Sequence, residues 1–173
     1  YEGRERSILE FTQRAVVVNG FSKQFAMTGW RVGYLILPEK LVRPLQKIHQ
    51  NCFICANAFV QWAAIAALRE AEEDVRNMRR IYNERRRVII DGLRDLGFGV
   101  TVEPTGAFYV LANARWLSQD SYGLAFDILE KAHVGVTPGI DFGSNAEGYL
   151  RFSYANSVDE IRLGLERLKD YLS

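Results

Sequence analysis

The order of apolar and polar positions divides the chain into segments of two different periods. Val16-Val17-Val18 is a β-branched run closed by Asn19-Gly20. It predicts a buried strand over 14–18 that runs into a turn. Tyr34-Leu35-Ile36-Leu37, stopped by Pro38, predicts a second buried strand. Helical spacing then takes over. Pro38-Glu39 places a proline and an acid in a first turn, and Leu41, Val42, Leu45 and Ile48 supply a buried stripe. Residues 58–68 are alanine-rich, with Val60, Ala63, Ala64, Ala67 and Leu68 on one side, a composition suited to close helix packing. Beyond a charged break at 70–74, the apolar residues Val75, Met78, Tyr82, Val88, Ile89, Leu93 and Leu96 recur at helical intervals with one polar step. They predict a long amphipathic helix over about 72–96, ended by Gly97 as a C-cap.

The remainder predicts a compact α+β unit. Residues 99–102 and 107–111 form a hairpin-like pair of strands around Pro104-Thr105-Gly106. Residues 122–132 form a helix with Leu124, Ala125, Ile128 and Leu129 on its apolar side, and 134–136 a short strand. In 149–154 the alternation sends Leu150, Phe152 and Tyr154 to one face and Tyr149, Arg151 and Ser153 to the other. Ser157-Val158-Asp159-Glu160 caps a final helix whose stripe is Ile161, Leu165, Leu168 and Leu172, and Ser7 caps a short helical turn over 7–12. The expected class is α/β, with a division into residues 1–70 and a smaller α+β domain, 71–173, entered through the long helix.

Composition narrows the function classes. The 173 residues suffice for one domain with a real core or a little more. Hydrophobic residues are 48% and charged residues 25%, ordinary for a soluble globular protein. A net charge of +1 provides no global field to recruit nucleic acid or membrane. No apolar run approaches bilayer length and the first residues lack a signal-peptide pattern, so a cytoplasmic setting is the default expectation.

Candidate chemistry begins at Lys23. A lysine just past a buried strand lies near apolar surface, and desolvation favours the neutral amine that a Schiff base needs. Eight residues on, Arg31 stands between Gly29 and Gly33. The glycines permit close backbone approach, and the guanidinium fork suits a phosphate. A nucleophilic amine and a phosphate-reading arginine together suggest pyridoxal phosphate (PLP), an aldehyde and a phosphate on one ring. The whole stretch Ser22-Lys23-Gln24-Phe25-Ala26-Met27-Thr28-Gly29-Trp30-Arg31-Val32-Gly33-Tyr34 resembles the lysine motif of the class I/II, fold-type I aminotransferases at each fixed position. The resemblance implies that Lys23 is the Schiff-base lysine and proton shuttle, that Arg31 binds the cofactor phosphate, and that Ser22 is a further cofactor contact.

A second segment carries the same likeness. Pro104 to Tyr109 resembles the family's P-x-G-A-F-Y stretch, and Arg151 lies between P-G-x-x-F-G and R-F-S-Y-A wording. A mid-strand arginine among apolar residues is costly to bury unless paired, and its natural partner is a carboxylate held bidentately. The resemblance implies that Arg151 grips the α-carboxylate of the amino-acid substrate; a structural salt bridge is the other reading of that residue. The implied fold is the end of the PLP-binding large domain followed by the small C-terminal domain. The implied activity is amino-group transfer between an amino acid and a 2-oxo acid in a homodimer of the aspartate aminotransferase-like branch. The likeness covers essentially all of the chain but a little under half of such an enzyme. The aspartate on the pyridine nitrogen and the tyrosine on the ring oxygen would precede residue 1, so the chain alone is expected to be inactive, with a non-catalytic folding or oligomerisation unit as the alternative.

Two clusters invite other readings. His49, Cys52 and Cys55 fall at intervals of three, but a fourth zinc ligand is not evident nearby and the pair does not open a helix after a strand. They are read as two small buried thiols beside a solvent-facing histidine, with no metal. In the related enzymes this segment lies near the dimer interface, which makes Asn51 and Asn57 candidates for contact with a partner's site. Arg85-Arg86-Arg87 raises the nucleic-acid question. Three successive residues span nearly a helical turn and form no single face, so a solvated helix surface is expected.

Overall fold

The computed structural model describes residues 1–3 and 6–173. The chain divides into two compact units, residues 2–78 and residues 79–173 with Tyr1.

In the first unit, Ser7 and Glu10 form a reciprocal capping box around the 3₁₀ turn Ile8–Glu10. Strands β1 (Val17–Gly20) and β2 (Gly33–Ile36) pair antiparallel, Val17 opposite Ile36 and Gly20 opposite Gly33. Gly33 is required by this pairing, since a Cβ there would stand 2.9 Å from the Asn19 carbonyl oxygen. Helix α1 (Glu39–Phe53) starts directly after Pro38, and α2 (Ala58–Glu70) follows. The core of this unit is small: Phe21, Met27 and Ala64 are buried, with Phe25, Val32, Ala63 and Ala67 against them.

The burial expected for this half is not found. Val18 is 76% exposed, β2 has no buried residue, and Val42 and Ile48 of the α1 stripe are exposed. Continuous apolar runs are the signature of strands covered on both faces. Here, among the described residues, the two runs keep their strand conformation but stay largely open.

The second unit holds a full core. Helix α3 (Glu72–Asp95) ends in a Schellman motif, in which Phe98 N–H donates to the Leu93 carbonyl at 2.9 Å and Gly97 N–H to that of Arg94 at 2.9 Å. Gly97 takes the positive φ of 86° that this motif needs. A three-stranded antiparallel sheet has the order β3 (Tyr109–Asn113), β5 (Tyr149–Ser153), β4 (Thr137–Pro138). Helices α4 (Ser121–Ala132) and α5 (Val158–Leu172) are capped by Asp120 and Ser157, whose side chains accept from Gly123 N–H and Glu160 N–H. Leu93, Ile128, Leu150, Phe152, Tyr154 and Leu168 meet in one buried cluster. The alternation expected along β5 holds: Leu150, Phe152 and Tyr154 are buried and Ser153 is exposed.

Three expectations are corrected. Residues 99–102 form no strand; Gly99 makes one bridge to Asn113, and β3 pairs instead with β5. Ala107, at the end of the Pro104–Gly106 turn, is left-handed at φ 61°. The short strand at 134–136 is displaced to Thr137–Pro138. The basic run is not uniformly solvated, because Arg86 is only 3% exposed. Arg86 lies three, four and seven residues before Ile89, Ile90 and Leu93, which puts it on the same buried face of the helix. Its guanidinium donates to the Pro104 carbonyl at 2.7 Å and to Asn83 Oδ1 at 3.1 Å, and lies 4.9 Å from the Tyr1 ring centre.

Two outcomes test this packing. A Cβ on buried Gly139 would overlap the carbonyl oxygen of Ala146 and stand 2.6 Å from that of Tyr149. Gly139→Ala should therefore cost on the order of 3 kcal/mol, read as a lower urea midpoint. Tyr171 donates to Asp127 Oδ2 at 2.6 Å, joining α5 to α4, and burial followed by this bond pushes its pKa from 10.0 up to about 12. A raised folded pKa gives stability that is complete below 10.0 and lost as pH rises through about 12. The melting temperature should fall over that window, and Tyr171→Phe should flatten the fall.

Candidate active site

The segment between β1 and β2 is a closed knot. Phe21 and Met27 anchor it by burial, and Phe21 N–H donates to the Val32 carbonyl at 3.3 Å across its base. Inside, Thr28 Oγ1 donates to the Ser22 carbonyl at 2.9 Å, and Arg31 Nη1 donates to the Thr28 carbonyl at 3.1 Å. These two bonds tie Ser22, Thr28 and Arg31 into one relay. Ala26 and Arg31 both sit in the left-handed region, at φ 53° each. A side-chain-bearing residue there costs about 1–2 kcal/mol. At Arg31 the strain follows from reversing the chain out of the 3₁₀ turn Thr28–Trp30 and into β2 within two residues.

Ser22 is half-buried, and Lys23 and Arg31 are exposed. The desolvated setting expected for Lys23 is thus not found, because the β1 run beside it is itself open. The two glycines flanking Arg31 differ. Gly33 serves the strand pairing, whereas a Cβ on Gly29 would meet nothing within 4 Å. Arg31 opens onto a cleft of about 850 Å3 whose wall includes Trp30, His49, Phe53, Cys55, Asn57 and Phe59. Cys52 and Cys55, expected to be buried, are both exposed; α1 ends at Phe53 and Cys55 falls in the connection beyond it. Among the described residues no group of three His, Cys, Asp or Glu side chains is arranged to hold a metal. Asn51 turns back on its own helix, donating to the Lys47 carbonyl at 2.7 Å, and Asn57 lines the cleft.

In the second unit, Arg151 projects from the face of the sheet opposite the core. Leu111 and Thr137 are its register partners on the two sides. Its Cζ lies 4.3 Å from the Tyr109 ring centre and 4.8 Å from that of Phe142, so the guanidinium is held between two aromatic rings. Nη2 donates to Thr137 Oγ1 at 3.0 Å. Nε is buried and has no hydrogen-bond partner, and none of the ion pairs among the described residues involves Arg151. The structural salt bridge is therefore not what holds this residue among the described ones. The arrangement is a pre-oriented cation with donor capacity left over, which suits a carboxylate.

Tyr109, Phe142 and Thr137 had not been singled out as parts of this site. Phe142 lies in the P-G-x-x-F-G segment and Tyr109 shares the outward parity of its strand, so the sequence carries a signal for both. Thr137 reaches Arg151 only through the β4–β5 pairing, which needs the strand order.

Known proteins resemble this chain in sequence and in fold. The family model "Aminotransferase class I and II" matches residues 3–168, and the chain belongs to that family. It is 40% identical, over its whole length, to a (5-formylfuran-3-yl)methyl phosphate transaminase of Methanocaldococcus jannaschii, and covers 47% of that protein. It is 38% identical to an aspartate aminotransferase of Pyrococcus horikoshii, the match taking in 92% of this chain and 41% of the relative. The crystal structure of an aromatic aminotransferase from Pyrococcus horikoshii superposes with a TM-score of 0.93 at 35% identity, over 99% of this chain and 47% of that one. The chain thus spans about half the length of the relatives it matches. The expected class, a mixed α/β chain with the fold of an aminotransferase's C-terminal part, agrees with these matches.

The relay predicts a local effect. Thr28→Val keeps the side-chain shape and removes the bond to the Ser22 carbonyl. It should cost about 1 kcal/mol and speed amide hydrogen exchange at Trp30 and Phe21 while leaving the sheet of the second unit unchanged.

Proposed function

We propose that this chain is the lysine-bearing part of a PLP-dependent aminotransferase that moves an amino group between an amino acid and a 2-oxo acid. The observation that carries the reading is the folded Ser22–Arg31 knot in a chain of this family. Its donors are an exposed amine on Lys23, a hydroxyl on Ser22 and an exposed guanidinium on Arg31, with open space at Gly29 for close approach. That set fits a phosphate ester bearing an aldehyde.

PLP supplies a carbonyl that takes up an amino group and a ring that withdraws electrons from the substrate's α-carbon. In this reading Arg31 Nη atoms and the Ser22 hydroxyl hold the phosphate oxygens. The αL backbone at Arg31 and its bond to Thr28 pre-set the guanidinium, so little side-chain freedom is lost on binding. Lys23 Nζ would hold the cofactor through its aldehyde and, as a free amine, would be the group that carries a proton to and from the substrate. Arg151 grips the α-carboxylate, which fixes the orientation of the amino acid.

Residues 1–70 are proposed as the end of a PLP-binding large domain and 71–173 as the small domain. The working assembly is proposed as a cytoplasmic homodimer in which Asn51 or Asn57 faces the partner. Among the described residues no helix is long and apolar enough to cross a membrane. A second reading has its own support. Trp62, Phe53 and Ile54 are each more than 70% exposed, so a non-catalytic unit that associates through apolar surface is also compatible with the chain.

One experiment separates the two. The purified chain is mixed with PLP, reduced with borohydride and mapped by mass spectrometry. Selective label on Lys23, lost in Arg31→Ala, is expected. Label scattered over surface lysines would favour the non-catalytic unit. Because the chain spans under half of its relatives, amino acid and 2-oxo acid added with PLP should give no enzyme-like turnover by this chain alone.

A further inference from the structure

Arg151 has two edges by which a carboxylate could be held. One pairs Nε with Nη2; the other pairs Nη1 with Nη2. The structure discriminates between them. Nε is buried, with less than 1 Å2 of accessible surface, so an oxygen arriving from outside cannot reach it. The side-on edge is closed, and the Nη1–Nη2 end is the one left. The rings of Tyr109 and Phe142, 4.3 and 4.8 Å from Cζ, fix the plane of the guanidinium but not its rotation within that plane. Among the described residues, the hydrogen bond that acts on that rotation runs from Nη2 to Thr137 Oγ1 at 3.0 Å. Thr137 is held in register directly opposite Arg151 on β4, and its neighbour Pro138 is buried, so the hydroxyl is placed by backbone pairing.

We infer that Thr137 is a positioning residue for substrate binding: it accepts one of the two Nη2 hydrogens and so holds the Nη1–Nη2 end of Arg151 towards the carboxylate of an α-amino or 2-oxo acid. The inference rests on the reading of Arg151 as the carboxylate grip. Thr137 touches neither substrate nor cofactor in this arrangement. It sets which face of the guanidinium is offered and spares the incoming carboxylate the cost of orienting a loose side chain. A hydroxyl is suited to the task because it accepts one hydrogen without carrying charge. An acid at 137 would neutralise Arg151, and an apolar residue would leave Nη2 free to turn.

The test uses the chain with 15N-labelled arginine and pyruvate, the smallest 2-oxo acid, followed by NMR at the Arg151 side-chain resonances. Pyruvate should shift them in the unmodified chain; in Arg151→Met, where those resonances are gone, it should move none of the remaining arginine side-chain resonances. Thr137→Val preserves β-branching and strand register. It should weaken pyruvate roughly five- to tenfold and shift the Nη2 resonance of Arg151 as its hydrogen bond is lost, at an unchanged melting temperature. Thr137→Ser should restore both. If Thr137→Val binds pyruvate as well as or better than the unmodified chain, the hydroxyl is a bystander or a competitor for Nη2, and the inference falls while the reading of Arg151 stands. If pyruvate moves no Arg151 resonance in the unmodified chain, that reading falls and Thr137 falls with it.

Discussion

A strand with one face in a hydrophobic core can carry a charge only on the other, and β5 is built on that constraint. Leu150, Phe152 and Tyr154 are buried one way, which commits Arg151 to the opposite side at a fixed height in the sheet. Burial of the apolar face therefore aims the guanidinium. The neighbouring strands then add what a charge at a sheet surface needs. Tyr109 comes from β3, Thr137 from β4, and Phe142 from the 3₁₀ turn Gly139–Phe142 that follows β4. A carboxylate would have neutralised the group, and the described residues place none against it. Two aromatic faces and one hydroxyl restrain Arg151 without using up its charge.

The lysine-bearing loop achieves the same end by other means. It has no sheet surface to stand on, so it closes on itself. Two apolar anchors, Phe21 and Met27, hold the loop down, and the Ser22–Thr28–Arg31 relay replaces the lateral support that strands give Arg151. Both places also contain left-handed residues that are not glycine: Ala26 and Arg31 in the loop, and Ala107 on the turn leading to Tyr109. The Ala107 carbonyl accepts from the hydroxyls of Tyr154, at 3.3 Å, and of Tyr1, and burial raises the pKa of Tyr154, which keeps that hydroxyl a donor. Strained backbone persists where surrounding bonds over-determine it, and here it sits next to the polar groups with functional geometry.

What was legible in the sequence follows from how local each determinant is. Helix ends depend on residues a turn apart, so Ser7, Gly97 and Ser157 were readable as caps. The facing of β5 depends on a period of two and was readable as well. Strand partners depend on the whole chain: 99–102 and 107–111 carried the pattern of a hairpin, yet β3 found its partner some forty residues on, in β5. Burial is less local still. The runs at Val16–Val18 and Tyr34–Leu37 were read as buried because such runs usually are, and their conformation agrees while their exposure does not. Pattern reports the environment a segment is suited to, and only the fold reports whether this chain supplies it.

That difference bears on the site itself. Lys23 and Arg31 were found through spacing and motif, and the structure adds why the loop can hold them. Arg86 shows the opposite case. As one of three consecutive arginines it has the look of a solvated surface, yet its spacing to Ile89, Ile90 and Leu93 sets it on the buried face of the helix. Its bond to the Pro104 carbonyl fixes the turn that precedes Ala107, Phe108 and Tyr109. A charge that looks superfluous in the sequence thus lies two steps from the ring that restrains Arg151, and the route between them is backbone. The side chains proposed to carry chemistry were legible because their types are rare in their surroundings. Those that position them were not, because a threonine, a tyrosine or one arginine among three becomes particular only when the register of the sheet sets it against a partner.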